Sequence, residues 1–278
     1  LDDNGATDYL AAALRVADTR RQPGMISFSC TRPGGFTDEM AQRCLASLSL
    51  LASLIDTHVS EIIAASLLDV YLGHDAGQRV LQGAVKRGDG ETIPAVICFA
   101  DLRNFTTLSD QLPREQLLAL LDTYFACVVG AVHEQGGEVL KFIGDAVLAI
   151  FRVSPGEEAA ACAAAIAAAH GAQTAVATAS AERAAAGLSS IDFGLALHLG
   201  EVMYGNIGGP DRLDFTVLGP AVNVASRIEG LCGRLGQSLL VSDAVARHAG
   251  GVFLDLGEHA LKGVSVPIRL WAPGSGPR

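Results

Sequence analysis

The chain has 278 residues, 50% of them apolar, which excludes a disordered chain and suffices to bury one large core or two modest ones. Its 20 basic and 30 acidic residues leave a formal net charge of -10, which argues against a broad electrostatic grip on nucleic acid or anionic lipid. A phosphate ligand must therefore be held by a few local cations, by metal or by backbone amides.

The six cysteines, Cys30, Cys44, Cys98, Cys127, Cys162 and Cys232, show no CxxC spacing and mostly sit among apolar residues, a pattern expected in a reducing cytoplasm. No run of roughly 18 residues is both uncharged and strongly apolar, because His170, Gln173, Glu182 and Arg183 interrupt the alanine-rich stretch from Glu157 to Ala186. The sequence therefore predicts no membrane contact in this fragment. It opens on Leu1 rather than methionine and shows no signal peptide, so it reads as a piece of a longer protein.

In chain order, a short helix is expected around Tyr9 to Ala17, then a strand Met25–Ser29 and a turn at Pro33, Gly34 and Gly35. Residues 1–43 resemble the C-terminal remnant of a small sensory domain of the GAF type; the alternative is an extension packed on the rest. Leu45, Leu48, Ala52, Ile55, Val59 and Ile62 recur at spacings of three and four, and the pattern fails at Ser66 and Asp69. Such a helix pairs with its twin or lies on its own domain. Tyr71–Gly77 is expected to break it and Arg87–Glu91 to form a polar loop, so 44–88 reads as a helical signalling linker and 89–278 as the main domain.

There, Ile93–Ala100 reads as a strand and Pro113–Glu134 as an amphipathic helix. Glu138–Phe151 reads as two strands around a tight turn at Gly144-Asp145. A long helix follows over Glu157–Ala186, then a strand Ile191–His198 and a separate return segment Val202–Ile207. Asp214–Leu218 is an expected strand, Val222–Leu231 a helix, Ser238–Val241 a strand, and Val252–Trp271 a closing hairpin. Helices alternating with paired strands predict an α+β fold, a ferredoxin-like βαββαβ core with a largely antiparallel sheet. Neither GxGxxG nor GxxxxGK[ST] occurs, so the two common nucleotide folds are not supported.

Three segments carry chemistry. In Val96–Thr106 an apolar strand ends on Asp101, and in Val139–Phe151 an apolar hairpin exposes Lys141 and Asp145. A carboxylate at the end of an apolar strand is costly unless solvated or bound to a cation, and two of them offer oxygen ligands to hard metals. Taken singly, each also suits a turn. The third segment, Asp211–Glu229, puts Asn223 and Arg227 four apart on one helix face near its N-terminus, where both reach one phosphate. The surface alternative pairs Arg227 with Glu229 or Glu201.

Together these segments resemble the class III adenylate and guanylate cyclases, from roughly Glu91 to the C-terminus. The most specific pieces are Phe99-Ala-Asp-Leu-Arg-Asn-Phe-Thr106, Lys141-Phe-Ile-Gly-Asp145 and Gly219-Pro-Ala-Val-Asn-Val-Ala-Ser-Arg227. The resemblance implies that Asp101, Asp145 and the Leu102 main chain hold two Mg2+ ions, for which Mn2+ can substitute. It implies that Lys141 and Thr216 read the purine, that Phe105 and Thr106 with neighbouring amides touch the substrate, that Asn223 and Arg227 steady the transition state, and that Lys262 contacts the triphosphate. ATP is then closed to cyclic AMP and pyrophosphate by in-line attack of the ribose 3′-hydroxyl on the α-phosphate, in a homodimer formed through this domain, with the 44–66 helix as a further contact.

Guanylate cyclases of this family typically carry glutamate and cysteine at the places of Lys141 and Thr216, so the adenylate type is implied. Asp214, two residues before Thr216 on the same strand face, is the competing purine contact. Two departures from the common pattern stand out: Asn104 replaces a frequent glycine, tolerable because asparagine enters left-handed backbone readily, and Pro220 suits a helix start. The competing readings are a guanylate or promiscuous cyclase and a non-catalytic nucleotide-binding domain.

Overall fold

The computed structural model describes residues 5–14, 24–83 and 86–274. The chain divides into two compact units, Leu1–Val70 and Tyr71–Arg278, a boundary inside the segment read from sequence as a linker.

In the first unit, β1 (Asp8–Leu14) and β2 (Gly24–Cys30) pair antiparallel from Asp8↔Cys30 to Leu14↔Gly24. The helix expected at Tyr9–Ala17 is therefore a strand as far as Leu14, and residues 15–17 lie outside the described residues. Three consecutive alanines favour a helix, but so short a segment cannot repay helix nucleation, whereas a paired strand satisfies its backbone. The expected turn closes with the Gly35 amide donating to the Arg32 carbonyl at 3.0 Å.

Helix α1 (Asp38–Leu72) contains the periodic segment, and none of its residues is buried. It runs through Ser66 and Asp69, where the apolar spacing lapses, and stops only at Gly73, whose φ is 86°. A lapse in periodicity changes which face is apolar without breaking a hydrogen bond; a positive φ ends the helix.

The second unit opens with α2 (His74–Leu81), inside the segment expected to be irregular, and β3 begins at Gly90, inside the expected polar loop. Its core is β3 (Gly90–Leu102), α4 (Arg114–Glu134), β4 (Glu138–Ile143), β5 (Ala146–Arg152), α5 (Glu158–Ala185) and β6 (Phe193–Gly208). These strands lie side by side as β4-β5-β3-β6, all antiparallel, which is the expected ferredoxin-like βαββαβ arrangement. Beyond β6 the sheet continues through β8 (Leu239–Ser242), β10 (Ile268–Pro273) and β9 (Phe253–His259), with the β6–β8 pair parallel. The strand β7 (Leu213–Leu218) pairs with β6, and α6 (Pro220–Glu229) follows it.

Strand β3 is the middle of the core because both its faces are apolar. Val96, Cys98, Ala100 and Leu102 join a cluster with α4 and α5, while Ile93, Ala95, Ile97 and Phe99 join another with Val202, Tyr204, Ala221 and Ala225. By length and apolar content α1, α4 and α5 are each sufficient to cross a membrane. For α4 and α5, however, that apolarity is taken up by the sheet, through Leu120, Tyr124, Val128 and Val132 on one and Cys162, Ala165, Ala169 and Ala172 on the other.

Two expectations for this unit are corrected. Ile191–His198 and Val202–Ile207 are not a strand and its return but parts of one 16-residue strand, β6, paired with β3 from Leu102↔Phe193 to Gly90↔Gly205. Inside this strand a Cβ at Gly200 would lie 2.7 Å from the Cβ of Ala221, so the glycine lets α6 approach the strand. The short helices α3 (Phe105–Gln111), α7 (Cys232–Leu235) and α8 (Asp243–Ala249) escaped sequence reading, having too few turns to show a period.

Candidate active site

Asp101 is the next-to-last residue of β3, and the chain behind it turns through Asn104 into α3. Asn104, at φ 58°, is the one non-glycine with positive φ among the described residues, as its substitution for glycine predicted. Phe105 and Thr106 form the first turn of α3. Across the sheet, Gly144 at φ 66° turns β4 into β5 and presents Asp145 beside Asp101, close enough for its carboxylate to raise the Asp101 pKa.

Burial pushes the Asp101 carboxyl up to about 7, helped by Asp145 and Glu229 and opposed by the Leu102 amide. Its Oδ1 is buried and has no hydrogen-bond partner among the described residues. Below lies Tyr124 of α4, fully buried, whose hydroxyl likewise has no partner among the described residues; burial and then the Asp101 charge raise its pKa well above the ordinary range. Glu229, at the end of α6, faces the same ground. Burial raises its carboxyl to about 7, the Arg103 guanidinium opposes, and Asp145 adds to the rise.

An orphaned carboxylate oxygen beside a second carboxylate fits a divalent cation, which would take up the charge that burial disfavours. Among the described residues no group of three Asp, Glu, His or Cys forms a ready-made metal cage. A cation on Asp101 and Asp145 would therefore take its remaining ligands from main-chain and substrate oxygens.

The purine-reading candidates form a second group. The β4–β5 register shifts between Val139 and Lys141, a bulge that re-aims the strand, and Lys141 Nζ donates to Asp214 Oδ2 of β7 at 2.5 Å. Thr216, two residues further along β7, is 3% exposed, and its hydroxyl is buried without a hydrogen-bond partner among the described residues. On α6, which starts with Pro220 in its first turn as the sequence suggested, Asn223 and Arg227 both face solvent. Neither has a hydrogen bond or ion pair among the described residues, so the alternative pairing of Arg227 with Glu229 or Glu201 is not found. Lys262 stands exposed after Leu261, which is buried against Val224 and Ile228 of α6.

The structure thus joins Asp101 to Asp145 and Lys141 to Asp214, and leaves Asn223, Arg227 and Lys262 open to solvent. Sequence reading missed Tyr124, Arg103 and the inward turn of Glu229. Tyr124 and Glu229 depend on which side of α4 and α6 packs inward, which only the register of a full helix face could have signalled, and Arg103 depends on the path of the loop after β3.

Residues 90–264 match the model of the adenylate and guanylate cyclase catalytic domain. The chain belongs to that family. Among curated relatives it is 35% identical to an adenylate cyclase of Anabaena cylindrica over 164 residues, 59% of this chain and 32% of that protein. It is 32% identical to adenylate cyclase 1 of Rhizobium meliloti over 180 residues, 62% of this chain and 26% of that one. The cyclase-family chain thus spans about a third or less of the curated relatives named here. Among solved structures, a bacterial light-regulated adenylyl cyclase superposes with a TM-score of 0.65 at 26% identity, covering 82% of this chain and 64% of that one. The adenylyl cyclase CyaB of P. aeruginosa gives 0.62 at 26%, covering 68% and 98%. The guanylyl cyclase Cya2 gives 0.56 at 27%, covering 66% and 92%.

Proposed function

We propose that this protein is an adenylate cyclase that converts ATP to 3′,5′-cyclic AMP and pyrophosphate, working as a homodimer in the cytoplasm with two magnesium ions, for which manganese can substitute. The observation that carries the reading is the convergence of Asp101 and Asp145 at the end of β3, with a buried carboxylate oxygen lacking any partner among the described residues. Divalent cations bound there supply Lewis acidity, lowering the pKa of the ribose 3′-hydroxyl and offsetting phosphate charge.

The chain's own residues do the rest. Asp101, Asp145 and the Leu102 main chain hold the cations, and Phe105, Thr106 and the amides at the start of α3 line the phosphates. Arg227 and Lys262, exposed and free of acidic partners among the described residues, offset the charge that grows on the phosphates as pyrophosphate leaves. Asn223 orients the ribose from the same face of α6 as Arg227. Lys141 donates to a ring nitrogen of adenine, which favours ATP over GTP.

The dimer rests on the separation of these groups. Within one chain, no hydrogen bond or ion pair among the described residues joins Asn223 or Arg227 to Asp101 or Asp145. A head-to-tail pair supplies Asp101 and Asp145 from one subunit and Lys141, Thr216, Asn223 and Arg227 from the other. The exposed apolar residues of α1, Leu45, Ile55 and Ile62 among them, offer the pair a second contact.

The deciding experiment incubates the purified protein with ATP or GTP and magnesium or manganese and identifies the product. Cyclic AMP is expected from ATP, and Asp101→Ala or Asp145→Ala abolishes it while circular dichroism stays unchanged. Cyclic GMP as the main product would make this a guanylate cyclase; near-normal turnover in either variant would remove the metal assignment.

A further inference from the structure

Resting on the metal reading above, we propose that Tyr124 is a positioning residue of the cation site, its hydroxyl being the donor that fixes the Asp101 carboxylate for a divalent ion. The chain has two fully buried tyrosines, and they differ in one respect. Tyr204 donates to Glu138 at 2.8 Å, as a buried phenol ordinarily finds an acceptor. The Tyr124 hydroxyl has no hydrogen-bond partner among the described residues, and neither has Asp101 Oδ1, itself buried. An unpaired donor and an unpaired acceptor at one place each carry a cost that an apolar residue would avoid.

The packing brings the two together. The Tyr124 ring lies edge-on to Phe193 with centroids 5.7 Å apart, and Phe193 is the β6 partner of Leu102, as Gly194 is of Asp101. Tyr124 therefore rises from α4 against the last two residues of β3. Of the charges acting on its hydroxyl Asp101 is the largest, with Asp145 and Glu229 beyond it, and burial keeps the phenol protonated and able to donate. Two other donors nearby are already placed. The Arg103 guanidinium turns to the Gln237 carbonyl at 2.6 Å and to Asp192 at 3.7 Å, and the Leu102 amide already serves Asp101. A donor on the free oxygen of a ligating carboxylate sets its rotation, and such partners govern ion affinity. Phenylalanine would fill the same space without that bond.

The test compares Tyr124→Phe and Tyr204→Phe with the wild type. Mn2+ binding is followed by water-proton relaxation, alone and with 3′-deoxy-ATP, which cannot cyclise, and thermal unfolding is recorded in EDTA. Tyr124→Phe is expected to weaken Mn2+ binding about 10-fold while raising Tm in EDTA, because the unpaired hydroxyl is gone. Tyr204→Phe is expected to do the reverse, lowering Tm and leaving Mn2+ binding within about twofold, because it breaks a hydrogen bond that the fold already makes. A Tyr124 hydroxyl that merely packs, or that bonds an internal water, would leave Mn2+ affinity in Tyr124→Phe within about twofold of wild type, and that result overturns the assignment. So does a fall of Tm in EDTA as large as that of Tyr204→Phe, which would show the hydroxyl already bonded. Wild-type protein that binds no Mn2+ in either condition refutes the metal reading itself, whereas normal wild-type binding with no effect of Tyr124→Phe refutes the role of Tyr124 alone.

Discussion

His198 sits on β6 with its Nδ1 2.9 Å from the Ser242 hydroxyl, and burial holds its pKa down at about 4. The folded state therefore keeps this ring neutral where the unfolded chain protonates it, near its ordinary value of 6.5. Between these two values the unfolded state binds more protons, so this residue's contribution to stability rises with pH through that window and is lost on acidification. From pH 7 to pH 5 the loss amounts to about 2 kcal/mol. The buried carboxyls Asp101 and Glu229, raised to about 7, act in the opposite sense, so the total pH profile conceals the histidine. A comparison isolates it. His198→Gln cannot titrate, and its urea-derived stability, relative to wild type at the same pH, is expected to improve by about 2 kcal/mol between pH 7 and pH 5. Parallel profiles would mean that the ring takes up its proton in the folded protein as readily as in the unfolded chain.

Residue types also explain what could be read in advance. Asp101, Asn104 and Asp145 were legible because each is a local exception: a charge closing an apolar strand, a non-glycine at a left-handed position, an acid in a glycine turn. The Lys141–Asp214 contact was not, because 73 residues separate the pair and only the path of β7 brings them together. The same holds for Tyr124 and Glu229. Nothing in their immediate neighbours marks them, since their role follows from the inner faces of α4 and α6.

Helices and strands that carried a full period were legible in type, with ends shifted by a few residues. The failures were β1, where alanine propensity lost to pairing with β2, and β6, where one long strand paired with β3 was divided in two. The helix α2 shows a third kind of failure, an eight-residue element held by long-range polar contacts. Its Arg79 donates to Glu91 at 2.8 Å, and Arg152 of β5 donates to the same carboxylate at 2.7 Å. Both guanidinium groups stack on the Tyr204 ring, at 5.1 and 4.6 Å from its centre, and the Tyr204 hydroxyl donates to Glu138 at 2.8 Å. Ala76, fully buried, supplies the apolar contact. Arg152→Ala removes two ion pairs, to Glu91 and to Asp75 of α2, and one stacked cation, together worth about 1–2 kcal/mol in a partly exposed setting. The expected result is a Tm lower by about 2–6 °C and faster hydrogen exchange in α2, with α5 unchanged. Arg152→Lys should recover only part of this, because an ammonium keeps the charge and loses both the planar stacking and the fork. Equal exchange in α2 for wild type and Arg152→Ala would show that Arg152 does not hold the helix and that Arg79 and Ala76 suffice.

At the scale of the whole molecule, the arrangement of charges bears on the proposed dimer. Acidic groups converge around the end of β3, while Arg227 and Lys262 point to solvent without partners among the described residues. In the proposed reaction a triphosphate uses both, and in the proposed head-to-tail dimer a second copy would bring the cations of one chain to the carboxylates of the other. Two equivalent sites then form, and a variant lesion in one half of a site can be covered by the other chain. Asp145→Ala and Arg227→Ala should each be inactive alone. Co-expressed in equal amounts and free to pair at random, about half of the dimers are mixed, and each mixed dimer holds one doubly damaged site and one intact site, so activity should recover to roughly a quarter of wild type. Differently tagged subunits purified through both tags give the mixed dimers directly, with about half of wild-type activity expected per dimer. Co-expression is the right format because pairing along α1, with its exposed Leu45, Ile55 and Ile62, would slow exchange between preformed dimers. If doubly tagged dimers are pure and silent, the site is not shared, and Arg227 must reach Asp101 and Asp145 within its own chain.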